Sequence, residues 1–350
     1  MEEPFTFTTE SVLAPRSFAK RRAASVSAVS PDCETRNVGA SHVGAQVCRT
    51  LTPAKYHFRA PYFAKLYING PVILPDYTQK QFDEEILMAA DAGIDYFAYC
   101  WYSNQSEMSW ARRFHTQSRY RNKVKLASIS IPNDQEEILE LIELFQQDFY
   151  FKIPDGRPLL FVYTEADIRS KVNFVRETCR QKGYKQPYLA LMGSSPAHAK
   201  EMDGNAISDY ALFGDEIPFA QMAQNGRQRW ERGLEENMDM IPCVSTGWDP
   251  RPRGDNPISW GGEVNHVSSV PTATPEEIVE HLDDCVQWIK AHEAACPAKA
   301  LIIYAWNEHD EGGWLCPTVT VDEAGNPLQE NGKNIPNSSR LQALKQYLSK

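Results

Sequence analysis

Residues 300–318, ALIIYAWNEHDEGGWLCPT, decide how the chain is read. Leu301, Ile302, Ile303 and Tyr304 form a continuous apolar run, the pattern of a parallel strand covered on both faces. The run breaks directly into Asn307, Glu308, Asp310 and Glu311, followed by Gly312, Gly313 and the aromatic Trp314. A buried strand ending on carboxylates sets charge at its carboxyl end, where parallel α/β folds keep their sites. Two glutamates three residues apart can point into one pocket. Glycosidic bond cleavage needs such a pair, one to protonate the leaving oxygen and one to stabilise or activate the opposite side.

Working outward, short apolar runs alternate with helical patterns from residue 38, the signature of βαβ units and a parallel sheet. The expected strands are 38–48, 94–101, 124–131, 158–164, 188–192, 207–213, 241–248 and 300–306. Thr78 is the expected cap of a helix whose Phe82, Ile86, Ala89 and Ala90 form one stripe, and Gly93 is its expected stop. Asn133 and Thr274 are the expected caps of two further helices, each with early acids that suit the helix dipole. Eight strands with intervening helices over about 280 residues match a single-domain (β/α)8 TIM barrel, whose core runs to ~250 residues. The expected division is a poorly ordered tail over 1–36 and the barrel over 37–350. A doubly wound open sheet is the alternative, but its nucleotide-binding forms lack support, since neither G-x-G-x-x-G after the first strand nor a P-loop occurs.

Composition narrows the function classes. Of the 350 residues 42% are hydrophobic and 23% charged, as in ordinary globular proteins. The net charge of -10 argues against nucleic-acid or anionic-membrane partners, which are held by clustered Lys and Arg. The expected partner is a neutral oligosaccharide or polysaccharide, with no membrane insertion. The eight cysteines are scattered with no C-x-x-C pair and read as reduced, structural residues. His57, His266 and His309 are too dispersed to assert a metal site, and no cofactor is expected. No signal-peptide-like or membrane-spanning apolar stretch is present, so a cytoplasmic location is expected, with an exported form left open.

In a barrel the carboxyl ends of the strands become the site inventory. The second strand supplies Trp101 and Tyr102, the fourth Glu165, the seventh Trp248, Asp249 and Arg251, and the eighth Asn307, Glu308, Glu311 and Trp314. Flat aromatic faces suit the C–H faces of sugar rings, and carboxylates, Asn and Arg suit hydroxyls. Several have a second reading, and Glu308 and Glu311 also fit solvated loop carboxylates. Trp101 and Tyr102 also fit barrel filling, Asp249 also fits an ion pair with Arg251 or Arg253, Glu165 a helix-start acid and Asn307 a turn cap.

WNEHDEGGWLCPT resembles the N-E-x-x-E-G strand-end motif of glycoside hydrolase family 99 and the related WbsX-like proteins. GWDPRPR at 247–253 is similar to the G-W-D-x-x-P-R segment of the WbsX-like group. RAPYF at 59–63 and EILMAADAGIDYFAYCWY at 85–102 look like early barrel segments of the same proteins. The resemblance implies a retaining glycoside hydrolase in which Glu308 is a base on the sugar 2-hydroxyl, which attacks the anomeric carbon to give a 1,2-anhydro intermediate. Glu311 would protonate the leaving group and then activate water. The chain departs from the endomannosidase form at His309-Asp310, within the motif. Two other functions fit the same residues: a glycan-binding or polysaccharide-assembly protein without turnover, and a transferase delivering the sugar to an acceptor alcohol.

Overall fold

The computed structural model describes residues 25–29, 47–67, 70–75, 77–165, 167–256 and 269–350. Nine strand segments form one parallel sheet: β1 (Ser25–Val29), β2 (Tyr96–Cys100), β3 (Lys125–Ile129), β4 (Leu159–Tyr163), β5 (Tyr188–Met192), β6 (Ala206–Ser208), β7 (Asp239–Met240), β8 (Cys243–Ser245) and β9 (Ala300–Tyr304). Their order, β7-β6-β5-β4-β3-β2-β1-β9-β8, begins and ends on two pieces of one chain segment. Pro242 has no N–H for the ladder, which explains the interruption between them. Across the break Ile241 N–H donates to Ile207 on β6 (3.0 Å), and the Pro242 carbonyl accepts from Ile302 on β9 (2.9 Å). The sheet is thereby closed as a (β/α)8 barrel, with β7 and β8 together making its seventh strand.

The apolar runs divide between two cores. Along β9, Ala300, Ile302 and Tyr304 join the barrel interior with Tyr96, Ile129, Phe161 and Tyr188. Leu301, Ile303 and Trp306 instead join the layer between sheet and helices. This is the period-two alternation of a strand covered on both sides, so a continuous apolar run serves two separate packing surfaces.

Helices α1 (Gln79–Asp91), α2 (Trp110–Gln117), α3 (Gln135–Leu144), α4 (Ile168–Gln181), α5 (Pro196–Glu201), α6 (Phe219–Glu235), α7 (Arg251–Asp255), α8 (Pro275–Ala291) and α9 (Ser339–Leu348) follow the strands. Thr78 and Thr274 cap α1 and α8 in full capping boxes with Gln81 and Glu277, as their spacing predicts. The cap of α3 is Asp134 rather than Asn133. Its carboxylate accepts from the Glu136 and Glu137 amides, while Asn133 turns its side-chain oxygen to the Lys171 ammonium. Gly93 ends α1 in the left-handed region at φ 90°.

The first strand is a correction. It lies at Ser25–Val29, inside the stretch read as a tail, and is hydrogen-bonded in register to β2 and β9 through pairs such as Ser27 with Tyr96 and Ser27 with Ile302. Alternating serines make SVSAV look polar although both of its neighbours are core strands. Of the expected strand at 38–48, residues 38–46 lie outside the described residues, and 47–50 are helical. Val47 and Leu51 sit four apart, a helical spacing, and join a third core with Tyr56, Leu66, Leu74 and Val319. This subdomain follows β1 and so belongs to the first loop over the carboxyl end of the barrel. The described cysteines are all free thiols. Among the described residues no helix is long and apolar enough to cross a membrane.

Candidate active site

After Tyr304 the chain leaves the barrel wall and folds into a two-residue-wide hairpin, β10 (Asn307–Glu308) against β11 (Gly313–Trp314), pairing Asn307 with Trp314 and Glu308 with Gly313. The intervening turn carries His309, Asp310 and Glu311. Asn307, Glu308, His309 and Asp310 are all buried, and Glu311 is only 17% exposed, so the cluster is held inside the mouth rather than displayed on it. Two glycines permit the turn. Gly312 has φ 87°, and a Cβ there would meet the Asp249 amide nitrogen at 2.5 Å; one on Gly313 would strike the Tyr304 ring at 2.5 Å. The loop after β8 and the turn after β9 therefore pack backbone to backbone, and the Asp249 N–H donates to the Glu311 carbonyl at 2.6 Å.

Each glutamate is met by a phenol from the barrel interior. Tyr210, after β6, donates to Glu308 Oε1 at 3.3 Å, and Tyr304 donates to Glu311 Oε2. The two rings lie edge to face at 5.5 Å, and Tyr210 continues to Tyr163 at 5.8 Å, giving a tyrosine floor beneath the carboxylates. Burial pushes both phenols well above their ordinary pKa, and the neighbouring carboxylates add to it. They remain protonated donors throughout the neutral range.

Arg253 supplies the positive charge. Its Nε and one terminal nitrogen each lie 3.0 Å from an Asp310 oxygen in a bidentate pair, and its other terminal nitrogen donates to Glu311. Burial opposes the charge of this guanidinium, but Asp310, Glu311 and Glu308 outweigh it and hold Arg253 above its ordinary pKa. Thr50, from the first loop, adds a hydroxyl to Asp310 at 3.3 Å.

The sequence-predicted residues fall into three groups. Asn307, Glu308 and Glu311 come together in the hairpin, and Trp248 lies beside it, 6.0 Å from Tyr304 and edge to face with Phe213 at 4.5 Å. Asp249, Arg251 and Trp314 form the frame. Asp249 is buried and takes Arg251 at 2.6 and 2.7 Å, together with Arg59 from the RAPYF segment. Burial works against ionisation of Asp249, but the Arg251 hydrogen bonds and the Arg59 charge prevail and hold it below the usual carboxylate range. This is the ion-pair reading of Asp249, with its carboxylate taken up by arginines. Trp314 is covered by the Arg340 guanidinium, 3.6 Å from its ring centre, and stacks near-parallel to His309 at 6.4 Å.

Trp101, Tyr102 and Glu165 are not brought to the glutamates. Trp101 faces the helix layer, where Glu137 accepts from its indole at 2.8 Å and Arg112 lies 3.7 Å from its ring centre. The Tyr102 ring packs on the same layer, and its carbonyl accepts from Arg112. Glu165 is half-exposed and paired with Lys171 at 3.2 Å. Strand alternation accounts for Trp101, because it shares the face of Phe97 and Tyr99. Tyr210 and Tyr304 were absent from the predicted site, whereas Tyr163, Arg253 and Asp310 stood at the expected strand ends without an assigned role. Tyr304 reads in sequence as one more apolar strand residue; its sole signal was its position at a strand's carboxyl end. Among the described residues no group of three or more His, Cys, Asp and Glu could hold a metal ion.

No curated protein matches the chain. An endo-alpha-mannosidase of glycoside hydrolase family 99 from Bacteroides thetaiotaomicron, in complex with bis-tris-propane, superposes with a TM-score of 0.56 at 13% identity, covering 93% of this chain and 96% of that one. A second structure of the endo-alpha-mannosidase from that organism gives 0.51 at 14% identity, covering 78% and 79%. At such identities the likeness shows the barrel fold. The model of the family described as Glycosyltransferase WbsX matches residues 79–325, a span running from α1 through the whole glutamate hairpin. Since that is more than half of its length and includes both carboxylates, the chain belongs to the WbsX family.

Proposed function

We propose that the protein is a glycosidase that breaks a glycosidic bond of an oligo- or polysaccharide with retention, using Glu308 and Glu311. The observation that carries this reading is the hairpin itself. Two glutamates on one turn at the barrel mouth are each met by a buried phenol, Tyr210 and Tyr304, that does not titrate near neutrality. Such preorganised donors fix carboxylate orientation without reorganisation during reaction. Glu308 takes the proton of the sugar 2-hydroxyl, whose oxygen attacks the anomeric carbon. Glu311 gives its proton to the leaving oxygen as the glycosidic bond breaks. Water then opens the 1,2-anhydro sugar at the anomeric carbon, losing its proton to Glu311 while Glu308 returns a proton to the 2-oxygen. Two inversions give net retention, and no enzyme-bound ester forms.

The family's description as a glycosyltransferase favours one other reading, transfer to an acceptor alcohol. The first half-reaction is unchanged and the acceptor takes the place of water. The endo-alpha-mannosidase structures that share the fold favour testing α-linked substrates first. Wild type, Glu308→Gln and Glu311→Gln should be compared for product release from α-linked oligosaccharides and aryl glycosides, with and without an added alcohol. Turnover lost in both variants supports the glutamate pair, and the product formed with the alcohol separates transfer from hydrolysis. Saturable oligosaccharide binding with no product from wild type would instead make the protein a glycan-binding barrel.

A further inference from the structure

Beside Trp314 lies a cavity of about 170 Å³. Its floor is Arg340, Trp314 and Cys316, and its rim is the exposed Thr272, Asn337 and Ser339. No acidic side chain lines it. Arg340 is 7% exposed and donates to three carbonyls, those of Thr246 (3.1 Å), Trp314 (3.1 Å) and Ala273 (2.9 Å). A guanidinium has five N–H donors, so two remain, and no carboxylate among the described residues pairs with its charge. A carbonyl satisfies a hydrogen bond but does not neutralise a cation, and an unneutralised buried cation is costly. Burial, with repulsion from Arg59, lowers Arg340 to about 9, which still leaves it charged at neutral pH.

Two further observations point the same way. The cavity opens at the amino end of the ten-residue helix α9, where the Asn337 side-chain oxygen accepts from the Ser339 amide at 3.1 Å and the cap residue Ser338 makes no side-chain capping bond, so the positive end of the helix dipole adds to the guanidinium. Its walls come from the loops after the seventh and eighth barrel strands, the position where TIM barrels commonly take up phosphate. The volume suits a tetrahedral oxyanion with some water, each water occupying roughly 30 Å³.

We propose that this cavity is a binding site for a tetrahedral oxyanion, a phosphate or sulfate group, held by Arg340 at the start of α9. The group is either a substituent of a glycan or a free ion. Because Trp314 pairs with Asn307 in the glutamate hairpin and lies over Arg340, an occupant also steadies that hairpin. The site does not depend on the glutamates being catalytic.

The test is thermal unfolding and calorimetric titration of the full chain with phosphate, sulfate and chloride at matched ionic strength. The expected result is saturable stabilisation by phosphate and sulfate but not chloride, abolished in Arg340→Met. That variant also unties three carbonyls, so Ser339→Asp is the deciding one. Its carboxylate suits the first turn of a helix and so preserves the fold, yet repels the anion, and apparent affinity should fall by about tenfold or more. An equal response to chloride, or an unchanged phosphate response in Ser339→Asp, overturns the proposal. Glucose 6-phosphate, run beside glucose and phosphate, distinguishes the sources. Tighter binding than inorganic phosphate assigns the site to a glycan substituent, equal binding assigns it to the free ion, and no binding by either counts against the site.

Discussion

Two buried arginines flank the glutamate hairpin and do opposite things. Arg253 is surrounded by acids, with a bidentate pair to Asp310 and a further bond to Glu311. Arg340 meets only carbonyls and the face of Trp314. The first neutralises charge that the proposed chemistry concentrates in one place; the second brings charge that the chain itself leaves unmatched. Burial depth alone would not separate them, since both are almost fully enclosed. What separates a structural clamp from a ligand site is whether the protein supplies the counter-charge.

The largest effect expected is on turnover. Glu308→Gln and Glu311→Gln should each cut product release by roughly a thousandfold or more, in line with loss of a general acid or base, while far-ultraviolet circular dichroism and melting stay close to wild type. A variant with wild-type turnover would break the link between the Arg253 side and chemistry. Next in size is the contrast between the arginines. Arg253→Met strands two carboxylates in the mouth and should cost about 3–5 kcal/mol in denaturant unfolding. Arg340→Met strands only carbonyls and should cost less, about 1–3 kcal/mol. Equal costs would erase the distinction.

Acid should expose the same asymmetry. Asp249 has its folded pKa held below its unfolded value, so it contributes stability that is present above the ordinary carboxylate range and lost as pH falls through the depressed value. Asp249→Asn should flatten the acid limb of a stability-against-pH curve, whereas Arg340→Met should leave that limb unchanged. Tyr304→Phe keeps the ring and removes the donor to Glu311, and should lower kcat by about tenfold with little change in KM. The smallest effect is at the second strand. Trp101→Phe loses the indole bond to Glu137 and should cost about 1 kcal/mol with turnover unaltered. A large loss of turnover there would return Trp101 to the site.

Much of the architecture was legible because apolar runs and capping residues act locally. The run at 300–304, the caps Thr78 and Thr274 and the stop at Gly93 all stand where their sequence signals place them. The first strand was not legible, because the polar-looking SVSAV is a strand only through its backbone pairing with β2 and β9. The glutamate pair was legible from its place after a buried strand, and the aromatics at the end of the second strand carried the same signal. Their fates differ because Trp101 falls on the outward phase of its strand, while the turn after Trp306 folds back over the mouth.

By itself, then, the sequence determined the barrel class, the order of its elements from the second strand onward and the carboxylates that gather at one strand end, since periodicity, capping and strand-end position are properties of neighbouring residues. Only the tertiary structure decided which charges meet. Arg59 reaches Asp249 across 190 positions, Thr50 reaches Asp310 across 260, and Tyr210 reaches Glu308 across 98. Nothing local marks such partners, because a side chain's electrostatic environment is set by whatever the closed barrel brings within a few ångströms of it.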